Sequence, residues 1–288
     1  MNYQNFKTAE ALAVKSGKPF GETFERIYSL LTQLDKAKEE NQSTKEIEKL
    51  LEVYGYEPAR KKRNLALKNE SSTESSLHIT NHSPKQKMDG MRSISTSVLK
   101  NEFCQKRRKC EGSICQKCYA ENQVKRYKRL SQCLEKNTEI LTTSVIPYAE
   151  LPRMTDRFFR FESFGDLSND IQFINYLNIC EKNPQTNFAL WTKNFGIVDQ
   201  VLKYMNKPIN LFLIASSSEI NKKEDLINQF PWIDKVFTVY TSKFAEENGI
   251  QINCGSRKCI DCRLCYTENS VKEINELVKG SKPRTKKK

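Results

Sequence analysis

The sequence predicts an α/β fold, either a partial (β/α)6-type barrel or a parallel sheet with cysteine-rich loops. Short β-rich runs alternate with helix-like stretches, which is the pattern of βαβ units. One run, INLFLIA, is apolar on both faces, as expected of a strand covered by helices. The predicted strands span residues 93–99, 158–163, 187–192, 209–215, 235–241 and 250–253.

Residues 1–63 are predicted to form a helical region that precedes this fold. One set of apolar residues recurs at three- and four-residue steps, which places it on one helix face. That set is Phe20, Phe24, Ile27, Leu31 and Leu34. A second apolar stripe starts at Ile47 and stops at Gly55, a plausible helix terminator. Two helices of this kind predict a packing or docking appendage.

Two segments lack the composition of a packed domain. Residues 64–90 are rich in Ser, Thr and Asn and have no apolar periodicity, so we predict a disordered linker there. Residues 279–288 contain six basic residues and no acidic one, which predicts a basic disordered tail. The α/β domain is then expected to span residues 91–278.

Composition narrows the possible classes of function. The 288 residues include 48 Lys and Arg against 35 Asp and Glu, and the net charge of +13 favours acidic partners. No apolar run is long enough for a membrane helix, and the N-terminus lacks a secretory profile, so we expect a cytoplasmic protein. With only two histidines, His78 and His82, a buried Ser-His-Asp triad or a histidine-rich zinc site is not expected.

The strongest local motif is a group of four cysteines near the C-terminus. Cys254, Cys259, Cys262 and Cys265 lie within twelve residues of each other. Ten cysteines in a reducing compartment favour metal ligands over disulfides. Four thiolates suit either zinc or a [4Fe–4S] cluster, so this spacing predicts a metal site at the end of the last predicted strand but leaves the metal open.

A second set of cysteines follows the first predicted strand. It consists of Cys104, Cys110, Cys115 and Cys118, and the last two directly precede a helix-like segment. Radical S-adenosylmethionine enzymes hold a [4Fe–4S] cluster in a loop at this position, usually with the spacing Cys-x3-Cys-x2-Cys. Here the trio nearest to that spacing starts at Cys110, with Cys104 as the alternative first ligand.

Polar and small residues follow the predicted strands, and strand ends line the ligand sites of α/β proteins. The residues predicted to bind a cofactor are Ser163, Gly165, Asp166, Thr192, Lys193 and Ser216. The basic residues Lys125, Arg126, Lys128 and Arg129, together with the C-terminal tail, form the candidate contact with nucleic acid.

Several of these segments resemble the "gene product 88" domain proteins of phages and bacteria. The resemblance covers residues 91–270 and rests on SISTSVLKNEFC, SICQKCYAE, FFRFESFGDL, NFALWTKN and the Cys254–Cys265 loop. It implies Cys104, Cys115 and Cys118 as the recurring ligands and a phage or other mobile element as the setting. The CYAE segment is also similar to one in phage proteins regarded as radical S-adenosylmethionine-like.

Two functions follow from these observations. The first is an iron–sulfur protein in which Cys104, Cys115 and Cys118 hold one cluster, S-adenosylmethionine binds its open iron, and Cys254 to Cys265 hold a second metal on the same side of the sheet. The second is a binding module without catalysis, in which zinc closes both cysteine groups and the basic residues bind nucleic acid. Neither the substrate nor the oligomeric state follows from the sequence.

Overall fold

The computed structural model describes residues 3–17, 20–40, 44–52, 54, 77–84 and 86–278. The chain divides into two compact units, residues 1–75 with 143–150, and residues 76–142 with 151–288. No helix in the described part is long and apolar enough to span a membrane. The basic tail, residues 279–288, lies outside the described residues.

The first unit contains helices α1 (Tyr3–Lys15), α2 (Phe20–Glu39) and α3 (Lys45–Glu52). The predicted apolar face of α2 is buried. Phe24 packs between Phe6 of α1, at 5.1 Å between ring centroids, and Tyr28, at 5.9 Å. In the described residues this region is therefore helical, with α1 in addition to the two helices that the apolar stripes predict.

The second unit is built on one seven-stranded sheet, which confirms the predicted α/β class. The strands are β1 (Thr80–Asn81), β2 (Arg92–Ile94), β3 (Phe158–Phe161), β4 (Asn187–Thr192), β5 (Leu211–Ser216), β6 (Lys235–Tyr240) and β7 (Glu273–Leu277). Their spatial order is their chain order, and only the β1–β2 pair is antiparallel. A parallel sheet built in this order with right-handed crossovers carries its connecting helices on one face.

The remaining helices connect or cap these strands. They are α4 (Glu102–Lys109), α5 (Tyr119–Arg126), α6 (Lys128–Thr143), α7 (Asp170–Lys182), α8 (Phe195–Leu202), α9 (Leu226–Gln229), α10 (Ser242–Glu247) and α11 (Cys259–Cys262), with 3-10 turns at Ile114–Lys117 and Tyr148–Glu150. Tyr176 of α7 stacks on Phe161 at 4.1 Å between ring centroids, and Phe161 stacks on Phe188 at 5.0 Å. These rings therefore define the helix-covered face.

The opposite face of the sheet, here called the inner face, carries the alternate residues of each strand. Phe158, Ala189, Ile214 and Ile274 belong to one apolar cluster on it, together with Tyr266. Cys254, Cys259 and Cys265 pack against this cluster, so the segment that carries them covers part of the inner face.

The structure corrects two boundaries. Residues 250–253 are not a strand; the last strand is β7, which follows the cysteines in the chain. The predicted linker 64–90 is also too long. Residues 64–76 lie outside the described residues, but residues 80–81 form β1 and the Leu77 and Met88 side chains are buried. Apolar periodicity could not reveal a two-residue strand that pairs only with β2.

Candidate metal and ligand sites

Four of the six predicted cofactor residues form one hydrogen-bonded network at the carboxyl ends of β4 and β5. Asp166 accepts a hydrogen bond from Thr192 Oγ1 at 2.5 Å and another from the backbone N–H of Lys193 at 3.0 Å. Lys193 Nζ donates to Ser216 Oγ at 2.7 Å. Burial raises the pKa of Asp166, and the charge of Lys193 opposes this rise.

The other two predicted residues secure the end of β3. Ser163 Oγ lies 3.0 Å from Ser93 Oγ and 2.9 Å from Ser95 Oγ, so it joins β2 to β3. Gly165 has a φ of +81°, and a Cβ there would lie 2.8 Å from the backbone oxygen of Thr96. Only glycine fits this conformation and this close approach without displacement of the backbone.

A buried carboxyl group, Glu162, stands at the centre of this edge. Its carboxyl group accepts hydrogen bonds from Thr96, from Gln172 Nε2 at 2.6 Å and from Tyr176 Oη. Burial raises the pKa of Glu162 to about 8, although these hydrogen bonds lower it. The sequence places Glu162 at a strand end, but nothing in its pattern marks it as the residue that joins β2, β3 and α7.

The structure brings Cys104, Cys115 and Cys118 into one neighbourhood. Cys104 lies in α4, Cys115 in the 3-10 turn, and Cys118 is the residue at which α5 begins. Cys104 and Cys118 pack against the same apolar cluster as Phe164. Burial raises the pKa of Cys104, and the negative charges of Asp166, Glu162, Cys115 and Cys118 raise it further.

Cys110 lies apart from these contacts. Its side chain is exposed, and its Sγ donates to the backbone oxygen of Lys106 at 3.5 Å. Two other cysteines fall on apolar helical positions, which predicts core thiols. Cys180 is fully buried in α7, whereas Cys133 on α6 is only half-buried.

The loop that carries Cys115 is fastened at both ends to the carboxyl edge of the sheet. The backbone N–H of Ile114 donates to the backbone oxygen of Ser218, after β5, at 3.0 Å. On the other side, Tyr119 Oη donates to the backbone oxygen of Ser163, after β3, at 2.5 Å. The first cysteine group therefore lies next to the Asp166–Lys193–Ser216 network.

The second cysteine group lies beside the last strand. Cys254 forms a bridge beside Glu276, near the carboxyl end of β7, and Cys259 and Cys262 are the ends of α11. Cys254, Cys259 and Cys265 pack against the apolar cluster of the inner face. All four sulfur-bearing residues, Cys254, Cys259, Cys262 and Cys265, line one cavity of about 20 Å³.

Positive charge surrounds the second group. Lys87 Nζ donates to Cys254 Sγ and to Glu276 Oε1, each at 2.9 Å, and its backbone oxygen accepts from the N–H of Cys259 at 2.8 Å. Burial raises the pKa of Cys259, and the charges of Lys87 and Arg160 oppose this rise. The sequence gives no signal for Lys87, which lies inside the segment predicted to be a linker.

The cysteine side chains of both groups are chemically suited to bind a metal, although they are not arranged as they would be around a bound ion. All ten cysteines are free thiols. Within the residues that the structure describes, no group of three or more His, Cys, Asp or Glu is arranged so that it could hold a metal ion as it stands. Two observations support metal binding by these residues. Four thiols surround one cavity in the second group, and three thiols interact at the carboxyl edge in the first.

The four helical basic residues proposed to contact nucleic acid are exposed, and the tail proposed with them lies outside the described residues. Lys125 and Arg126 end α5, and Lys128 and Arg129 begin α6. Between them, Tyr127 is 51% exposed and lies under the Arg126 guanidinium, at 5.4 Å from its ring centroid. Lys125 also pairs with the buried Glu121 at 2.6 Å. These residues form one exposed basic surface with an aromatic ring.

Comparison with known proteins identifies a family but no characterised relative. No curated protein and no solved structure matches the chain. The family model described as "Gene product 88" matches residues 59–272, which is well over half of the chain. The match begins earlier than residue 91, where the sequence resemblance begins, and so takes in part of the predicted linker. The chain therefore belongs to the gene product 88 family.

Proposed function

We propose that this protein is an iron–sulfur protein with radical S-adenosylmethionine-like chemistry at its first cysteine group. The observation that carries the proposal is the meeting of Cys104, Cys115 and Cys118, without Cys110, beside a polar network at the carboxyl edge of the sheet. Three thiolates would hold a [4Fe–4S] cluster and leave one iron open. Such a cluster supplies the electron for reductive cleavage of S-adenosylmethionine.

The polar network would bind and orient this cofactor. Lys193 Nζ offers a positive donor, while Ser216 Oγ and Thr192 Oγ1 provide further hydroxyl groups within the same network. S-adenosylmethionine carries a carboxylate and an amino group that need such partners. Ser163 and Gly165 would act indirectly, because they fix the backbone at the end of β3.

The second group would hold another cluster or a structural metal in this scheme. Its four thiols surround one cavity on the inner face, and Lys87 Nζ donates to one of them. A closed four-thiolate site contributes to folding and has no open position for a substrate. We place the protein in the cytoplasm of a phage or mobile-element host, a setting consistent with ten free thiols.

A second candidate function rests on the exposed basic surface around Tyr127. In this alternative both cysteine groups hold zinc, and Lys125, Arg126, Lys128 and Arg129 bind nucleic acid. Arginine and lysine side chains supply phosphate contacts, and an exposed ring offers a surface on which a base stacks. The position of Cys104, Cys115 and Cys118 beside the Asp166–Lys193–Ser216 network favours the first function, because a closed zinc site needs no polar network next to it.

The metal itself distinguishes the two functions. We expect protein prepared anaerobically to be brown, with iron and acid-labile sulfide, and to cleave S-adenosylmethionine when reduced. Replacement of Cys115 by Ala should abolish cleavage and remove the iron of the first group, whereas Cys110→Ala, a matched control in the same loop, should retain both. A colourless protein with stoichiometric zinc would instead favour the binding module.

A further inference from the structure

One positive charge on the inner face has no adequate partner. Arg160 of β3 is half-buried, and its Nε is buried without any hydrogen-bond acceptor. Its nearest acceptors are Met88 Sδ at 3.7 Å and the backbone oxygen of Glu162 at 3.5 Å, both at the outer limit of hydrogen bonding. No ion pair joins Arg160 to a carboxylate among the described residues.

The hydrogen-bonding capacity of this guanidinium is not filled by these contacts. A guanidinium group has five N–H donors, and the two contacts to Met88 and Glu162 are long. Among the described residues, Lys87 donates to the Cys254 sulfur, and Arg160 donates to none of the four cysteines. An anion beside Arg160 would accept from the remaining donors.

The surroundings of Arg160 suit a ligand with a planar ring. The guanidinium stacks on Trp191 of β4, at 3.9 Å from the ring centroid. Phe212 of β5 and Phe237 of β6 lie on the same face and are half-buried like Trp191. Ser93 is the partner of Arg160 in the pairing of β2 with β3. Its Oγ shares a hydrogen bond with His82 Nε2 at 3.0 Å.

We propose that Arg160 and Trp191 form a binding site for the anionic group of a ligand that also carries a planar ring. The anion, a phosphate or a carboxylate, pairs with the guanidinium, and the ring lies against the half-buried aromatic residues. This site is distinct from the Asp166–Lys193–Ser216 network and does not require a metal, so it stands even where the proposed function fails.

The chain has two tryptophans, Trp191 and Trp232, so a Trp232→Phe background leaves Trp191 as the single fluorophore. We would titrate this full-length protein with AMP, S-adenosylhomocysteine and adenosine, which share a ring but carry a phosphate, a carboxylate or neither. Saturable quenching by AMP that Arg160→Gln weakens identifies phosphate as the preferred anion, and the same dependence for S-adenosylhomocysteine identifies carboxylate. Quenching that Arg160→Gln leaves unchanged reports binding at the Asp166–Lys193–Ser216 network instead. We expect adenosine to bind at least about tenfold more weakly than the better of the two, since it lacks a charge-assisted hydrogen bond.

The matched pair of variants is Arg160→Gln and Arg157→Gln. Arg157 also lies over a ring, that of Phe158 at 5.3 Å, but it is exposed at the start of the same segment. Arg160→Gln should weaken binding about tenfold or more, and Arg157→Gln should leave it unchanged. Arg160→Lys keeps the charge without the planar fork and should fall between wild type and Arg160→Gln.

Four results would overturn the proposal. The first three are failure of all three probes to bind, equal binding of adenosine and the anions, and equal affinity of the Arg160→Gln and Arg157→Gln proteins. The fourth is loss of metal in Arg160→Gln with unchanged nucleotide affinity, because it would assign the charge to the thiolates. Iron and sulfide content, measured separately, decides the proposed function independently of these titrations.

Discussion

The two cysteine groups contain similar donors in opposite electrostatic surroundings. At the carboxyl edge, the buried carboxyl groups of Asp166 and Glu162 raise the pKa of Cys104, in addition to the effect of burial. On the inner face, burial also raises the pKa of Cys259, but there the charges of Lys87 and Arg160 oppose it. The charged neighbours of Cys104 therefore disfavour its thiolate form, whereas Lys87 and Arg160 favour the thiolate form of Cys259.

This difference bears on metal binding, because thiols bind metals as thiolates. In the second group, Lys87 and Arg160 provide positive charge that favours the thiolate form before a metal binds. This suits a site that keeps its metal permanently. In the first group, burial and the neighbouring Asp166 disfavour the thiolate form of Cys104, which suits a reactive site that is filled under control. The identity of the ligands alone would not separate the two roles.

The largest effect that we expect is on the free energy of unfolding. It compares the packing around Gly165 at the carboxyl edge with the packing around Gly255 in the second cysteine group. A Cβ on Gly165 would meet the Thr96 backbone oxygen at 2.8 Å, whereas a Cβ on Gly255 would meet only Glu276 Oε1, at 3.8 Å. Both glycines have positive φ. Gly165→Ala should lower the free energy of unfolding by about 3 kcal/mol or more, and Gly255→Ala by about 1 kcal/mol, as measured by urea denaturation.

Gly196→Ala provides the control for this pair. Gly196 lies in α8, and nothing lies within 4 Å of a Cβ placed there. Alanine favours a helix over glycine, so this variant should gain up to about 1 kcal/mol. If Gly165→Ala and Gly255→Ala lower the free energy of unfolding equally, the carboxyl edge is not more closely packed than the cysteine loop.

The second prediction concerns pH. Burial raises the pKa of Glu162 from about 4.5 to about 8, so between these values the folded protein binds a proton that the unfolded chain has lost. Stability then falls as pH rises through this window, by about 1 kcal/mol per pH unit. It should be highest near and below the unfolded pKa and should level off above the folded one.

Urea denaturation between pH 5 and 8 tests this slope when wild type is compared with Glu162→Gln, which cannot titrate. The second region should not contribute to the difference. Burial lowers the pKa of Lys87, but the charges of Cys254 and Glu276 outweigh it and raise that pKa overall, so Lys87 stays charged throughout. Identical slopes for the two proteins would show that Glu162 is ionised in the folded state.

The third and smallest effect concerns the positive charge beside the second group. Lys87→Met removes an ammonium group 2.9 Å from Cys254 Sγ and should weaken metal binding there about tenfold, as loss of an outer-shell partner does. Competition with a chelator measures this loss. The metal of the first group should be retained as in the wild type.

Lys258→Met is the matched control for Lys87→Met. Lys258 also lies beside the cysteine loop, but it is exposed and pairs with Asp89. Lys258→Met changes the net charge by the same amount as Lys87→Met. It should leave metal affinity within about twofold of wild type, because exposed ion pairs contribute little. If both variants weaken binding alike, the general charge of the loop matters and the Lys87 contact does not.

The sequence predicts the regular parts of this molecule well, because apolar patterns reflect local burial. The runs around Phe161, Leu190 and Leu213 were identified as strands, and the polar residues after them do form a network. The spacing of Cys254 to Cys265 predicts four residues around one cavity, and they line one.

Long-range placement was not predictable in the same way. The run 250–253 has the composition of a strand, but Asn253 and Cys254 lie at the edge of β7 through bonds to Asn275, which is 22 residues after Asn253. This pairing places the cysteine loop on the inner face. Lys87 and Arg160 gain their roles only from that placement, so no local pattern around either residue could reveal them.

The bond from Ile114 N–H to the oxygen of Ser218 has a consequence for the order of assembly. It joins segments about a hundred residues apart, and contacts of such separation form late in folding because the intervening chain must first be ordered. Cys115 follows Ile114 directly, so its final position depends on strands β3 to β5 being in place. We therefore expect the chain to acquire a metal at the first cysteine group after the sheet has formed, as a maturation step and not as the nucleus of folding.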